Sequence, residues 1–291
     1  MAPWLKRKVV ILLIAAVVVV SVLSIGWVRQ KRETARLIDS LQDKALSPMG
    51  SATVDLQSLG KVPEPVARYF RYALPDGQRK IQLARFHQTG ELRSAPDSDQ
   101  WLRFAATQLI SARPRAFLWD AKITLAPGIH IRVRDAYLHG AGSGKVSLLS
   151  AMTMGYDRNK PELNSAALYR YLAEAVWYPT ALLPESGVQW QAIDEHHALA
   201  KLTDSNISVA LEFRFNHVGE ITGIYTEDRY GKFNGQYEKH PWEGHFNNYQ
   251  IFDGVKIPTE AEVGWHLPVG WWLFWKGRIS DARFEYAAKR D

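Results

Sequence analysis

The chain has 291 residues, no cysteine and a formal net charge of +6. Its length suits one large domain or two small ones, and the missing cysteines exclude disulfides, thiolate metal sites and a cysteine nucleophile. Residues 1–32 hold six basic residues and no acid, leaving 30 basic and 30 acidic residues in the remainder. The excess charge therefore flanks one segment, which excludes a basic nucleic-acid-binding face.

That segment is residues 9–28, VVILLIAAVVVVSVLSIGWV. It is long enough to cross a bilayer core of about 30 Å. Trp4 and Trp27 stand near its ends, where aromatic belts form. The run exceeds the core of a cleaved signal peptide, roughly 7–15 residues, and Ser24-Ile25-Gly26 before Trp27 is a poor cleavage site. The reading is an uncleaved, single-pass signal-anchor in a bacterial inner membrane, with the body outside the cytoplasm. Three basic residues stand on each side, so charge barely sets the orientation.

Residues 33–45 continue as a juxtamembrane helix, and 47–61, with Pro48, Gly50 and Gly60, read as a linker. Pro65 suits the first turn of a helix, and Val66, Phe70, Ala73 and Leu74 follow at helical spacing before the turn at Pro75-Asp76-Gly77. After Lys80 the period changes to two. In 117–125, Phe117, Trp119, Ala121, Ile123 and Leu125 share a face. In 129–137, Ile129, Ile131, Val133 and Tyr137 share a face with Asp135, while Arg132 and Arg134 point away. A carboxylate in that phase must be paired or sit at a cavity.

HGAGSGK at 139–145 lacks the first Gly and the final Ser or Thr of a P-loop, and reads as a glycine-rich strand connection. A helix over 161–177 then places Leu168, Leu172, Ala175, Val176 and Tyr171 on one face. Later strands occupy 208–215, 260–267 and 271–286, with hairpin turns at Asn234-Gly235 and Asp253-Gly254. The expected fold is α+β: an N-terminal membrane helix, then a strongly curved antiparallel sheet or open barrel with one or two packed helices. The expected divisions are a 1–32 anchor, a 33–61 juxtamembrane helix and linker, and one β-rich domain over 62–291.

The nine histidines form no metal signature, no G-x-S-x-G elbow is present, and no cofactor motif appears. Glu174 is the carboxylate that stands out. It follows Arg170 by four residues, which would make an ordinary helical ion pair. Trp177 lies three residues on and covers the same flank, so Glu174 reads as partly buried, a condition that perturbs carboxylates and marks sites. Glu243, Glu260, Glu262 and Arg278 on later strands are its possible charged neighbours. Trp177, Tyr178, Thr180, Trp242, Trp265 and Arg278 are the candidate ligand contacts. The opening of the last strand, WWLFW, is apolar on both faces.

PEPVARYFRYALPDG, WLRFAATQ, FLWDAKI, RVRDAYL, YLAEAVWYPTALLP, WEGHFNNY, GVKIPTEAEVGW and FWKGRIS resemble the successive motifs of a bacterial family of unknown function. The resemblance covers about residues 62–286 and implies a single domain without implying an activity. The β-rich layout with an embedded helix is also similar in architecture to lipoprotein carriers of the LolA type. Three function classes follow. The first is a membrane-anchored envelope protein holding a lipid or other apolar ligand in the concavity of its sheet. The second is an acid–base hydrolase using Glu174 with Glu243 or Glu260. The third is an envelope scaffold that makes contacts through the WWLFW edge.

Overall fold

The computed structural model describes residues 3–45 and 53–286. It contains three α-helices, α1 (Pro3–Ala45), α2 (Glu64–Ala73) and α3 (Pro161–Glu174), and thirteen strands. Six strands precede α3: β1 (Ile81–Leu92), β2 (Leu102–Ser111), β3 (Ala116–Ala126), β4 (Ile129–Leu138), β5 (Ala141–Leu148) and β6 (Met152–Arg158). Seven follow it: β7 (Val188–Ala192), β8 (His197–Asp204), β9 (Ile207–Phe215), β10 (Ile221–Phe233), β11 (Gln236–Phe252), β12 (Val255–Leu267) and β13 (Gly270–Tyr286).

All thirteen strands form one antiparallel sheet in the order 6-5-4-3-2-1-13-12-11-10-9-8-7. Each half is a meander, and β1 pairs with β13 to join them. The sheet's outer strands, β6 and β7, are connected through α3. That helix packs against β4 and β5 from one half and against β9 and β10 from the other. Strands so far apart in the order can meet one helix only if the sheet curls around it, so the sheet is a half-barrel with α3 inside.

Sequence alternation explains the wrap. Phe86, Ile110, Phe117 and Tyr137 in the first half, and Val209, Leu211, Phe213 and Ile224 in the second, share one core with Leu168 and Leu172 of α3 and with Val176 in the 3-10 turn that follows it. These side chains are almost completely buried, and each contributes roughly 1.5–3 kcal/mol of hydrophobic stabilisation. The Asn234-Gly235 and Asp253-Gly254 turns adopt the left-handed backbone that two-residue hairpins require. The HGAGSGK run supplies the β4–β5 turn at His139-Gly140 and then enters β5.

One element departs from the expected layout, and a second packs onto the β domain. Of the linker expected over 47–61, residues 47–52, including Pro48 and Gly50, lie outside the described residues. From residue 53 onward the segment is folded: Leu56–Lys61 form a 3-10 helix capped by Asp55, and Val54 and Leu59 are buried in the core. The long N-terminal helix, moreover, does not end with its apolar run. Its C-terminal part lies on the convex face of the sheet, where Leu41 packs with Leu83, Leu109, Leu118 and Ala136. Glu33 of that part bonds Arg134 and Lys145, each at 2.7 Å, and Thr34 Oγ1 accepts a bond from Arg134.

Candidate functional site

Beside the last turns of α3 the half-barrel is not filled. A cavity of about 390 Å³ remains between α3 and both halves of the sheet. Its walls are mostly apolar: Leu92, Leu102, Ile123, Ile131, Val133 and Phe274, with Trp119, Trp177, Trp242 and Trp275 among the rings. Asp135, Arg170 and Glu174 are its charged residues at the α3 end. Along β3 and β4, Ile123 pairs with Ile131 and Trp119 pairs with Asp135. The apolar and charged levels are thus four residues apart, about 13 Å of strand.

The walls are exposed unequally. Ala173, Trp177, Ile224, Trp242 and Phe246, near α3, are buried. Leu92, Leu102, Ile131, Val133 and Trp275 are only partly buried, and Ser94 of the β1–β2 connection is exposed. The cavity therefore opens at the sheet end that carries the β1–β2 and β3–β4 connections. Space for Trp275 comes from Gly90 and Gly277, which face each other across β1 and β13. A Cβ on Gly90 would stand 2.8 Å from the Phe104 ring, and one on Gly277 would stand 2.2 Å from the Trp275 ring. The two rings stack at 5.7 Å over this bare patch.

The charged end is a hydrogen-bonded chain. Trp119 Nε1 donates to Gln88 Oε1 at 2.8 Å, Gln88 Nε2 donates to Gln108 Oε1 at 2.7 Å, and Gln108 Nε2 donates to Glu174 Oε2 at 2.5 Å. Arg170 Nε donates to Glu174 Oε1 at 2.7 Å, and another guanidinium nitrogen donates to Asp135 Oδ2 at 2.9 Å. The Arg170 guanidinium also lies 5.1 Å from the Phe117 and Trp119 ring centres. Arg229 stands behind the chain, 4.3 Å from the centre of Trp242 and 5.0 Å from that of Trp265, its Nε without a hydrogen-bond partner. Two acids and two guanidiniums thus gather at the α3 end, and Glu262 of β12 is a further acid on the cavity lining.

Burial pushes the Asp135 carboxyl above its ordinary range, against the pull of Arg170 and Arg229. A third of its side chain is accessible, and that surface faces the cavity. Burial, then the charge of Arg170, depresses Arg229 to about 9. Burial opposes the charge on Arg170, but Glu174 and Asp135 hold its pKa above the ordinary value.

A family model matches residues 52–277. The chain belongs to that family, DUF6544, a family of unknown function. No curated protein matches the sequence. Among solved structures, the chain is similar to a LolA superfamily protein from Nitrosomonas europaea, at 12% identity over 80% of this chain and 94% of that one, with a TM-score of 0.32. It is also similar to a DUF1329 family protein from Desulfovibrio piger, at 11% identity over 78% and 92%, with a TM-score of 0.35. A beta-barrel-like DUF1849 protein from Brucella abortus aligns at 8% identity over 71% and 99%, with a TM-score of 0.23.

Within this DUF6544 chain the fold disperses the residues expected to form a site. Glu174, Trp177 and Trp242 face the cavity. Trp265 is buried behind its wall beside Arg229. Tyr178 donates to the Tyr171 carbonyl, and Thr180 Oγ1 accepts from the Ile81 amide, so both serve the core. Arg278 lies on the convex face and pairs with Glu260 at 2.5 Å across β12 and β13. Glu243 also faces outward, because its neighbours Trp242 and Gly244 face in. It bonds Arg214 and, at 2.6 Å, His266. The acid–base pairing of Glu174 with Glu243 or Glu260 is therefore not assembled: strand alternation sends the two partners to the other side of the sheet.

The second carboxylate near Glu174 is Asp135, and its partner comes from α3, not from another strand. The WWLFW edge also divides, and a register shift against Val263 and Gly264 breaks its alternation at Phe274, so that two adjacent residues reach the cavity. Trp272 is buried and Phe274 and Trp275 line the cavity, which leaves Trp271 the exposed ring. Gln88, Gln108 and Arg229 stand outside the residues expected at the site. The two glutamines do carry a signal, since each falls in phase with the apolar residues of its strand. Arg229 carries none, because a register shift between Thr226 and Arg229 inverts the inside–outside phase of β10.

Proposed function

We propose that the protein is a membrane-anchored binding module that holds a lipid or similar amphipathic molecule in the concavity of its half-barrel. The observation that carries this reading is the cavity itself: a few hundred Å³ of mostly apolar space with a hydrogen-bonded charged cluster at the α3 end. Its volume lies within the roughly 300–1,000 Å³ typical of small-molecule sites, which share this pattern of apolar walls and few polar groups. An acyl chain would lie along Ile123, Ile131, Val133, Phe274 and Trp275. A polar group would meet Asp135, Arg170 and Glu174 at the α3 end. The helix α1, with an apolar stretch long enough to cross a membrane, would hold the module at a bilayer.

The test is native mass spectrometry of the full chain, released from detergent, with solvent extraction and lipid analysis of the bound fraction. A fluorescent fatty-acid probe is titrated in parallel. Wild-type protein should carry lipid and bind the probe. Val133→Trp, which fills the cavity from its wall, should weaken probe binding at least tenfold, a loss of about 1.4 kcal/mol. Wild-type protein that neither retains lipid nor binds the probe would refute the reading.

A further inference from the structure

The mouth of the cavity and the apolar part of α1 lie at the same end of the sheet. The β5–β6 turn at that end touches α1 directly. A Cβ on Gly26 would stand 2.7 Å from the Ala151 carbonyl oxygen, so a larger residue would push the turn away. Gly26 is two residues before the end of the apolar run, about 3 Å of helix. Below this contact the helix is bare, and its most apolar window is 0% buried. Above it, Gln30 bonds Thr153, Glu33 bonds Lys145 and Arg134, and Leu41 joins the convex cluster. The helix thus leaves the protein at the level where its apolar run ends.

Apolar side chains crowd that level. Leu125 and Ile129 flank the β3–β4 turn, and Met152 and Met154 begin β6, with Met154 64% exposed. Val269, in the β12–β13 turn beyond Trp275, is 86% exposed. A groove between α1 and β6 then changes character along the helix: Ile25 and Val28 give way to Arg29, Arg32 and Arg36, opposite Lys145 and Tyr156, with Glu33 among them neutralised by Lys145 and Arg134. Among the described residues, no acid pairs with these three arginines. Lys31 covers the Trp27 ring at the same height. Apolar groups below, then an aromatic ring, then cations is the order found from acyl region to phosphates in a bilayer surface.

We propose that the open end of the half-barrel is seated in the headgroup layer of the bilayer that holds α1, and that the cavity is loaded from that leaflet. The proposal rests on the cavity being a lipid site and adds the source of its lipid. Leu125, Ile129, Met152, Met154 and Val269 enter the interface around the mouth. Arg29, Arg32 and Arg36 take lipid phosphates in the groove beside it. A lipid then reaches Leu92 and Ile131 without crossing water.

The absence of cysteine makes the test direct. Single variants Ile129→Cys, Met154→Cys and Val269→Cys mark the open end. Val218→Cys and Ile251→Cys mark exposed positions beside α2 at the other end. Each full-length variant is labelled with bimane and placed in phosphatidylcholine–phosphatidylglycerol nanodiscs containing a doxyl-labelled lipid. Quenching should be several-fold stronger at the first three positions than at the last two. Equal quenching at both ends overturns the proposal. Fatty-acid probe binding is measured on the same samples. Binding without preferential quenching refutes the seating alone and leaves the cavity reading intact. Preferential quenching without binding refutes loading and the cavity reading together.

Discussion

Arg170 is the residue on which the charged end of the cavity depends. It neutralises two carboxylates that the fold withdraws from water, Glu174 on its own helix and Asp135 on β4. Removing one partner of a buried ion pair costs more than the pair contributes, because the other charge is left behind. Arg170→Leu should therefore destabilise the protein by about 3 kcal/mol, the lower end of the 3–5 kcal/mol range, because Asp135 still reaches the cavity. Urea unfolding would measure this. Glu174→Gln keeps an acceptor for Gln108 and should cost clearly less. Asp135 makes a pH prediction. Its pKa is raised in the fold, so its stabilising contribution is fully present below the ordinary carboxylate range and is lost as pH rises through the raised value. The stability difference between wild type and Asp135→Asn should shrink as pH rises across that window. A difference that grows with pH would contradict the assignment.

Two elements set the cavity, and they were unequally legible. The helix α3 was read from its apolar spacing, and Leu168, Leu172 and Val176 face the core as that spacing requires. The helix ends at Glu174, followed by 3-10 turns over Ala175–Trp177 and Pro179–Leu182. That Arg170 would meet Asp135 could not be read, since the two are 35 residues apart and on different elements. The glycine pair on β1 and β13 was equally hidden, because its purpose appears only once Phe104 and Trp275 stack over it. Gly277→Val should displace Trp275 and shrink the cavity. Trp emission would shift, and fatty-acid probe binding would weaken. On α1, Glu33→Ala leaves Arg134, which is nearly buried, without an acid. Arg134 keeps its bond to Thr34 but loses its counter-charge, which should cost about 1–3 kcal/mol, and thermal unfolding should register it.

At the scale of the molecule, α1 belongs to the β domain as much as to any membrane. Its C-terminal part covers Leu83, Leu109 and Leu118 on the convex face. A chain starting at residue 29 should stay soluble and fold, whereas one starting at residue 46 should expose that patch and aggregate. Size-exclusion chromatography of the two would decide. Much of this architecture was determined by sequence alone: the apolar run, the switch from helical to alternating period, the hairpin turns and the inward faces of most strands. These are local properties, set by side-chain periodicity and backbone preference over a few residues. What alternation could not supply was the partner across the barrel. Only the curled sheet brings β4 to α3, sends Glu243, Glu260 and Arg278 outside, and leaves space beside Trp177. The closure depends on β1 pairing with β13, the most distant strands in the chain. Contacts made by such pairing have no imprint in the spacing of either strand.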